Sequence, residues 1–208
     1  MAGGGGWVDA SAGRLAQAGS LDAPVDDTVT GKGVIAYGQP LAVGGSGSSA
    51  AIRREFQQAD VVLAVGTEFG ETDYDFFFSG PVVIGGTLLR VDIDPRQLSR
   101  NIRADVAIQS DAKLALQAIT TALAAKNYNA TDGAQRAAAL RTALTEARDK
   151  RYEAFFNTLR TALPDVIIAG DSTQPTYYAW LHYETEQARR YFHSASGFGT
   201  LGYAIPAA

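Results

Sequence analysis

The chain has 208 residues, of which 46% are hydrophobic and 19% are charged, and its formal net charge is −4. This length suffices for one domain, or for one domain and part of a second, and the composition excludes wholesale disorder. The absence of cysteine excludes disulfides, thiolate zinc sites and cysteine nucleophiles.

The charge and the hydrophobic pattern also limit the partners and the location. An acidic balance argues against nucleic acid as the main partner. No stretch reaches the roughly 18 uninterrupted apolar residues of a membrane span, and the start of the chain lacks the features of a signal peptide. We therefore expect a soluble, cytoplasmic protein without a nucleic-acid or membrane partner.

Helical and strand patterns alternate along the first 125 residues. The pattern predicts helices over residues 10–17, 48–58 and 111–125, and strands over residues 23–29, 61–66, 81–84, 88–93 and 104–108. The run at 61–66 is continuously apolar, as in a strand buried on both faces. This alternation predicts an α/β, Rossmann-like parallel sheet flanked by helices, with six strands or slightly fewer.

A polar stretch at residues 127–133 predicts a domain boundary. Residues 134–163 have helical spacing up to Pro164, with apolar points at Leu140, Leu144, Phe155, Phe156 and Leu159, and predict a long linking helix. A strand at 165–169, a helix at 176–187, a strand at 190–193 and a glycine loop at 196–202 follow. We therefore expect a first domain over 1–130, a linking helix over 131–163, and an incomplete second α/β domain over 164–208.

The two ends of the sequence carry features that normally lie inside a domain. A glycine run at 3–6 opens the chain with no strand before it, and Pro206 stands in a plausible first helical turn two residues before the end. These features lead us to expect a fragment of a longer protein, with a strand before Gly3 and a helix that continues beyond Ala208.

Two glycine loops precede predicted helices and allow two interpretations. The loop at 3–6 could bring backbone N–H groups to a phosphate, although a tight strand-to-helix turn explains it equally well. The loop at 44–49 could contact a nucleotide, or Ser48 or Ser49 could simply cap the following helix. The glycines alone do not decide between binding and packing.

Acidic residues follow two of the predicted strands. The stretch at 68–75 lies where open α/β sheets bind ligands, but a solvated loop is the simpler interpretation. Asp92 and Asp94 could hold a ribose or a cation, or Asp94 could cap the turn at Pro95. His182 and His193 have no partner that suggests a catalytic pair, so both are predicted to be structural.

The last forty residues carry the more specific signals. The sequence Gly-Asp-Ser-Thr-Gln-Pro at 170–175 lies between a predicted strand and a helix, where hydroxyl, amide and backbone donors can hold a phosphate. The segment 196–203 combines small residues and an exposed carbonyl with a bulky apolar side chain. Such a segment suits the close approach of the backbone to a flat ring.

Several segments, in this order, resemble the thiamine diphosphate-dependent enzymes of the acetolactate synthase and 2-oxo acid decarboxylase family. They are Ala-Pro-Val at 23–25, Gly-Lys-Gly at 31–33, Ala-Asp-Val-Val-Leu-Ala-Val-Gly at 59–66, Thr-Leu-Leu-Arg-Val-Asp-Ile-Asp-Pro at 87–95, Asn-Ile-Arg-Ala-Asp-Val-Ala-Ile at 101–108, Asp-Ala-Lys-Leu-Ala-Leu at 111–116 and Gly-Phe-Gly-Thr-Leu-Gly-Tyr-Ala-Ile-Pro-Ala-Ala at 197–208. All but the last match the family's central domain, and the last is similar to the start of its diphosphate-binding domain. Residues 170–175 most resemble decarboxylases of the 2-ketoarginine type.

The resemblance implies cofactor-binding roles for residues of the tail. The loop with Thr173 and Gln174 would contact the diphosphate. Gly199, Thr200 and Leu201 would bind the cofactor as well. The Gly199 carbonyl would accept a hydrogen bond from the pyrimidine 4'-amino group, and Leu201 would hold the cofactor in its bent shape. The resemblance places no catalytic residue within this chain, because the activating glutamate of the family would precede residue 1.

The resemblance also implies magnesium, whose ligands would follow residue 208. The Gly170-Asp171 pair imitates the start of the family's Gly-Asp-Gly motif, but Ser172 replaces the second glycine and no Asn occurs after Asn157. Some members bind FAD in the central domain, and Asp26 and Asp27 argue against FAD here. Relatives assemble as dimers or tetramers, so we expect a homodimer or homotetramer with Leu201 near an interface.

Three functions remain open from the sequence. The first is a fragment of a thiamine diphosphate-dependent 2-oxo acid decarboxylase or acetolactate synthase-like carboligase (a lyase or transferase), inactive by itself. The second is a non-catalytic module that binds a nucleotide such as FAD or ADP. The third is a purely structural domain of a larger assembly.

Overall fold

The computed structural model of the protein describes Gly19 and residues 21–126, 132–194 and 199–208. Predictions for the glycine run at 3–6, the helix at 10–17 and most of the boundary at 127–133 therefore lie outside the described residues. The elements in chain order are α1 (Ala50–Gln58), β1 (Val61–Val65), α2 (Glu71–Tyr74), α3 (Phe76–Ser79), β2 (Thr87–Asp92), a 3-10 helix (Pro95–Leu98), β3 (Val106–Gln109), α4 (Ala112–Ala124), α5 (Gly133–Glu146), α6 (Lys150–Ala162), β4 (Ile168–Gly170), α7 (Gln174–His182), β5 (Tyr191–His193) and α8 (Ala204–Ala207).

A parallel sheet with flanking helices forms the first part of the chain, which confirms the predicted α/β class. In the described residues it has three strands in the order β1-β2-β3, with Val61 opposite Thr87 and Leu89 opposite Val106. The expected six strands are not found there. The predicted strand at 23–29 contributes only an isolated parallel bridge between Val25 and Ala42. Nor is β1 covered throughout, since its first residue, Val61, is 57% exposed.

Residues 81–84 do not form the predicted strand, and Arg53 of α1 supplies the physical reason. The buried Arg53 guanidinium donates hydrogen bonds to the carbonyls of Ser79, Gly80 and Pro81, at 2.9, 2.5 and 2.8 Å. The Gly85 N–H donates to the Phe56 carbonyl of the same helix. The segment is thus bonded to α1 at its two ends, through the Pro81 carbonyl and the Gly85 N–H, and Val82 is buried in the same core as Ile52 and Phe56 of that helix.

Two helices stand where one linking helix was expected. Helix α5 ends at Glu146, and Asp149 begins α6 by accepting a hydrogen bond from the Arg151 N–H. The two helices also pack differently: Ala137 and Leu144 of α5 belong to the core beside the first sheet, whereas Phe156 of α6 belongs to a second core. Phe155, predicted to be an apolar packing position, is mostly exposed. The domain boundaries themselves stay predictions.

The second core surrounds the short parallel pair β4-β5. It contains Phe156, Tyr178, Ala179, Tyr183 and Tyr191. The predicted strand at 165–169 starts later, at Ile168, and the helix predicted to reach residue 187 ends at His182, because Tyr183 is in an extended conformation. The predicted strand at 190–193 is confirmed as β5.

Backbone hydrogen bonds connect the segment 29–37 directly to this second core. The Tyr37 N–H donates to the Thr185 carbonyl, and the Arg189 N–H donates to the Gly33 carbonyl, both at 2.7 Å. Gly33 has a φ of +84°, and a Cβ there would stand 2.9 Å from the Tyr191 carbonyl oxygen. The glycine at this position therefore permits both the turn and the close approach of the two backbones.

The N-terminal caps of α1 and α4 give a matched stability test. The Asp111 carboxylate accepts hydrogen bonds from the Lys113 and Leu114 N–H groups, whereas the Ser49 side chain makes no capping bond. We expect Asp111→Ala to lower the free energy of unfolding by about 1 kcal/mol, and Ser49→Ala to change it by less than about 0.5 kcal/mol. Urea unfolding followed by circular dichroism measures both, and equal losses would contradict the prediction.

Candidate functional site

The glycine loop at 44–49 is accounted for by packing. A Cβ at Gly45 would stand 2.5 Å from Ile52 and 2.7 Å from Leu144, and one at Gly47 would overlap the Tyr74 ring. Ser46 is fully buried and donates a hydrogen bond to the Asp73 carbonyl. The loop needs its glycines to fit beneath core side chains, so its composition does not require a nucleotide.

The acidic residues after β1 and β2 have structural partners. Glu68 forms an exposed ion pair with Arg100 at 2.9 Å. Asp73 is buried and lies 3.4 Å from the Thr30 hydroxyl. Asp94 accepts a hydrogen bond from the Arg96 N–H at the start of the 3-10 helix. The capping interpretation of Asp94 is therefore confirmed.

Asp26 and Asp27 are buried side by side before the first sheet, near the amino group of Lys32. Lys32 donates a hydrogen bond of 2.6 Å to the Gly44 carbonyl, and its burial lowers the pKa of the amino group. Burial, reinforced by the negative charge of Asp27, raises the pKa of Asp26 to about 7. Within the described part of the chain, the Asp26 carboxylate has no well-aligned hydrogen-bond partner, although the nearby Asp27 backbone N–H opposes the rise of its pKa.

The loop after β4 and the start of α7 hold the first two predicted cofactor-binding residues. Thr173 is the N-cap of α7 in an extended conformation, and its side chain forms no capping bond with the helix. Thr173 and Gln174 are both exposed. The N terminus of this nine-residue helix is therefore accessible and without a side-chain cap, as an anion-binding helix terminus must be.

The segment 199–203 holds the other predicted residues and lies against the same loop. Gly199 has a φ of +61°, and a Cβ there would meet no atom within 4 Å. Gly199 and Thr200 are exposed, and Leu201 is 73% exposed. The rest of this predicted loop, residues 196–198, lies outside the described residues.

Asp171 brings these two segments together. One of its carboxylate oxygens accepts a hydrogen bond of 2.8 Å from the Ser172 N–H, and the other accepts one of 2.7 Å from the Gly202 N–H. The Thr173 N–H also donates to the Asp171 carbonyl oxygen at 2.8 Å. The five predicted residues therefore lie on two segments that one carboxylate joins.

The residues of this region fit a diphosphate-bearing ring cofactor. The accessible N terminus of α7 suits the negative charge of a diphosphate. The open space beside Gly199 leaves room for a planar group near the backbone. No cluster of three acidic or histidine side chains that could hold a metal ion occurs in residues 21–126, 132–194 or 199–208.

The two histidines occupy structural positions. The His193 Nε2 atom lies 2.9 Å from the Val29 carbonyl oxygen, and its ring packs 4.9 Å from the Trp180 ring. His182 is half-buried beneath Tyr178. Its burial, together with the positive charges of Lys32 and Arg148, lowers the pKa of His182 to about 4. It is therefore neutral at physiological pH.

The sequence does not reveal that Asp171 joins two segments, although it places this residue in the predicted phosphate-binding loop at 170–175 and in an imperfect metal motif. An available signal was its position directly after a buried strand and before a helix, where carboxylates commonly organise turns. The distance along the chain, 31 residues to Gly202, gave no sign of the second contact.

Comparisons with known proteins match the first part of the chain and extend over nearly its whole length. The family described as "Thiamine pyrophosphate enzyme, central domain" matches residues 1–119. A probable 2-ketoarginine decarboxylase of Pseudomonas aeruginosa is 34% identical over 98% of the chain, which corresponds to 36% of that protein. A probable acetolactate synthase large subunit of Methanocaldococcus jannaschii is 27% identical over the whole chain and 37% of its own length. The acetolactate synthase isozyme 3 large subunit of Escherichia coli is 26% identical over 91% of the chain and 35% of its own length. The chain thus spans about a third of the length of these relatives.

Proposed function

The chain belongs to the thiamine pyrophosphate enzymes through their central domain, and from that membership we propose that it is part of an enzyme that acts on 2-oxo acids. The proposed activity is that of a decarboxylase or an acetolactate synthase-like carboligase. The observation that carries the proposal is the coverage of the matches. They extend beyond the central domain through the tail that holds the candidate site.

The residues of the tail would hold thiamine diphosphate. The N terminus of α7, with Thr173 and Gln174, would bind the diphosphate. The Gly199 carbonyl would accept a hydrogen bond from the aminopyrimidine, and Thr200 and Leu201 would lie along the same side of the cofactor. When bound, the thiazolium ring supplies the electron sink for loss of carbon dioxide from a 2-oxo acid.

Other components of the enzyme would lie outside these 208 residues. Since the chain spans about a third of its relatives, we propose that it does not turn over substrate alone. The activating glutamate and the magnesium ligands would come from the flanking sequence. We further propose a cytoplasmic homodimer or homotetramer in which a neighbouring segment covers Leu201. Among the described residues, no helix is both long and apolar enough to cross a membrane.

The full-length protein that contains these residues tests the proposal directly. With thiamine diphosphate and magnesium, it should release carbon dioxide from at least one member of a panel that includes 2-ketoarginine and pyruvate. An aldehyde as the second product indicates a decarboxylase, whereas 2-acetolactate from pyruvate indicates a carboligase. No carbon dioxide from any 2-oxo acid would refute the proposal. Binding of FAD or ADP without turnover would instead favour the nucleotide-binding module.

Leu201 and Ile205 provide a matched pair of variants in this enzyme. Both are strongly exposed in the described structure, at 73% and 86%, but only Leu201 has a proposed contact with the cofactor. We expect Leu201→Ala to lower kcat at least tenfold, because the reactive groups of the cofactor would no longer be held together. Ile205→Ala should stay within about twofold of the parent enzyme. Equal effects in steady-state assays would remove Leu201 from the site.

A further inference from the structure

We propose that Asp171 is a positioning residue that sets the distance between the two cofactor-binding segments. The inference rests on the proposed function, and it concerns a residue outside the five assigned to cofactor contacts. It starts from the two hydrogen bonds of the Asp171 carboxylate, one to each segment, at 2.8 and 2.7 Å.

The geometry of Asp171 separates its role from that of a ligand. Each of its two carboxylate oxygens accepts one backbone N–H, from Ser172 and from Gly202, and both bonds are made within the protein. Hydrogen bonds from backbone N–H groups to an ionised carboxylate are stronger than bonds between neutral groups. A single side chain thus fixes both the loop before α7 and the segment before α8.

The segment 199–202 needs the restraint that the Asp171 carboxylate provides. Gly202 has a φ of +90°, in the left-handed region, and Leu201 beside it is largely exposed. Few packing contacts therefore hold the segment 199–202 in place, and the Asp171 bond takes the place of packing. The loop before α7 has a second attachment to the core, since the Ser172 and Ser194 hydroxyls lie 3.4 Å apart.

The consequence for binding is a preorganised distance. The N terminus of α7 and the Gly199 carbonyl would contact opposite ends of the same cofactor. A cofactor that contacts both segments binds more tightly when their separation is already correct, because less order is lost on binding. Without the bond between Asp171 and Gly202, each segment would keep its own contacts, but the distance between the two segments would no longer be fixed.

The test uses Asp171→Asn in the full-length protein, with Asp165→Asn as the control. Asn retains the shape and one acceptor oxygen, so only one of the two N–H bonds is lost. Asp171→Ala, which removes both acceptors, is therefore measured beside it. In the cofactor-free protein, we expect the Gly202 amide to exchange with solvent at least about tenfold faster in Asp171→Asn. The dissociation constant for thiamine diphosphate should rise by about tenfold or more, with the thermal midpoint of the cofactor-free protein unchanged within about 2 °C. Asp165, an exposed aspartate of the same unit, should show neither effect.

Each other outcome overturns the inference. Unchanged exchange at Gly202 in both Asp171→Asn and Asp171→Ala would mean that the bond does not restrain the segment. Faster exchange with unchanged cofactor affinity would mean that the bond has no positioning role. If Asp171→Asn does not fold, an unprotected Gly202 amide in the parent protein still refutes the bond. Failure of the parent protein itself to bind thiamine diphosphate identifies the proposed function, and not Asp171, as the error, and the inference falls with it.

Discussion

We expect the substitution Arg90→Met to lower the free energy of unfolding by about 4 kcal/mol. Arg90 lies in the middle of β2 and is 1% exposed. Its guanidinium donates hydrogen bonds to the carbonyls of Thr67, Arg100 and Ile102, and lies 4.8 Å from the centre of the Phe69 ring. Met would fill much of the space but leave three carbonyls without their charged donor, and that of Thr67 is buried. A hydrogen bond to a charged group contributes about 1.5–3 kcal/mol, and a buried unsatisfied group costs about 1–3 kcal/mol.

Two variants distinguish this explanation from a general effect of losing charge. Arg103→Met removes an exposed cation further along the chain and should change the free energy of unfolding by less than about 0.5 kcal/mol. Arg90→Lys keeps the charge but lacks the planar donor group, so an intermediate loss is expected. Urea unfolding monitored by circular dichroism gives all three values. An Arg90→Met variant within 1 kcal/mol of the parent would contradict the proposed role of the three carbonyls.

Local patterns in the sequence predicted the elements whose backbone bonds are made locally or with a neighbouring strand. The helix after Asp111 begins where its capping residue indicated, and β1 and β2 lie within a residue of their predicted bounds. A cap or an apolar run is contained in a short window, so the sequence carries its signal directly. The parallel arrangement followed from the alternation of such windows.

Arg53 and Arg90 mark the limit of this reasoning. Both look like ordinary surface cations in the sequence, yet both are buried and bind backbone carbonyls from distant segments. Arg53 also contributes to the failed prediction of a strand at 81–84, because it binds the Pro81 carbonyl at the start of that segment. The partners lie 10 to 28 residues away, and no local pattern in the sequence indicates such a contact.

The candidate site shows the same division between local and distant signals. The resemblance selected Thr173, Gln174, Gly199, Thr200 and Leu201 from motif residues, and their cofactor contacts stay predictions. The loop at 170–175 and the segment 199–203 each lie next to the end of a strand or a helix. The Asp171 carboxylate that joins them belongs to the class of distant contacts, as the buried arginines do.

Replacing Asp26 with Asn should stabilise the protein at pH 8 by as much as about 4 kcal/mol. Asp26 is 7% exposed, and its carboxylate lies beside that of Asp27 in a region where Lys32 is the buried cation. Burial comes first, and the Asp27 charge second, in raising the pKa of Asp26 from 3.8 to about 7. Such a shift corresponds to about 1.4 kcal/mol for each pH unit. Asn occupies the same volume without a charge that must be desolvated.

The pH dependence of this gain identifies its origin. Below pH 3.8, Asp26 is protonated in both states, and Asp26→Asn should match the parent protein. As the pH rises toward about 7, the unfolded chain releases the proton that the folded chain retains, so the parent protein alone loses stability. Above about 7 the loss is complete, and the difference between the two proteins is constant.

Unfolding in urea at pH 4, 5.5, 7 and 8.5 measures this curve, with Asp165→Asn as the exposed control. A difference in the free energy of unfolding between Asp26→Asn and the parent protein that does not change with pH would contradict the prediction. It would mean that the Asp26 carboxyl has an ordinary pKa and that Lys32 compensates its charge despite the burial of both groups.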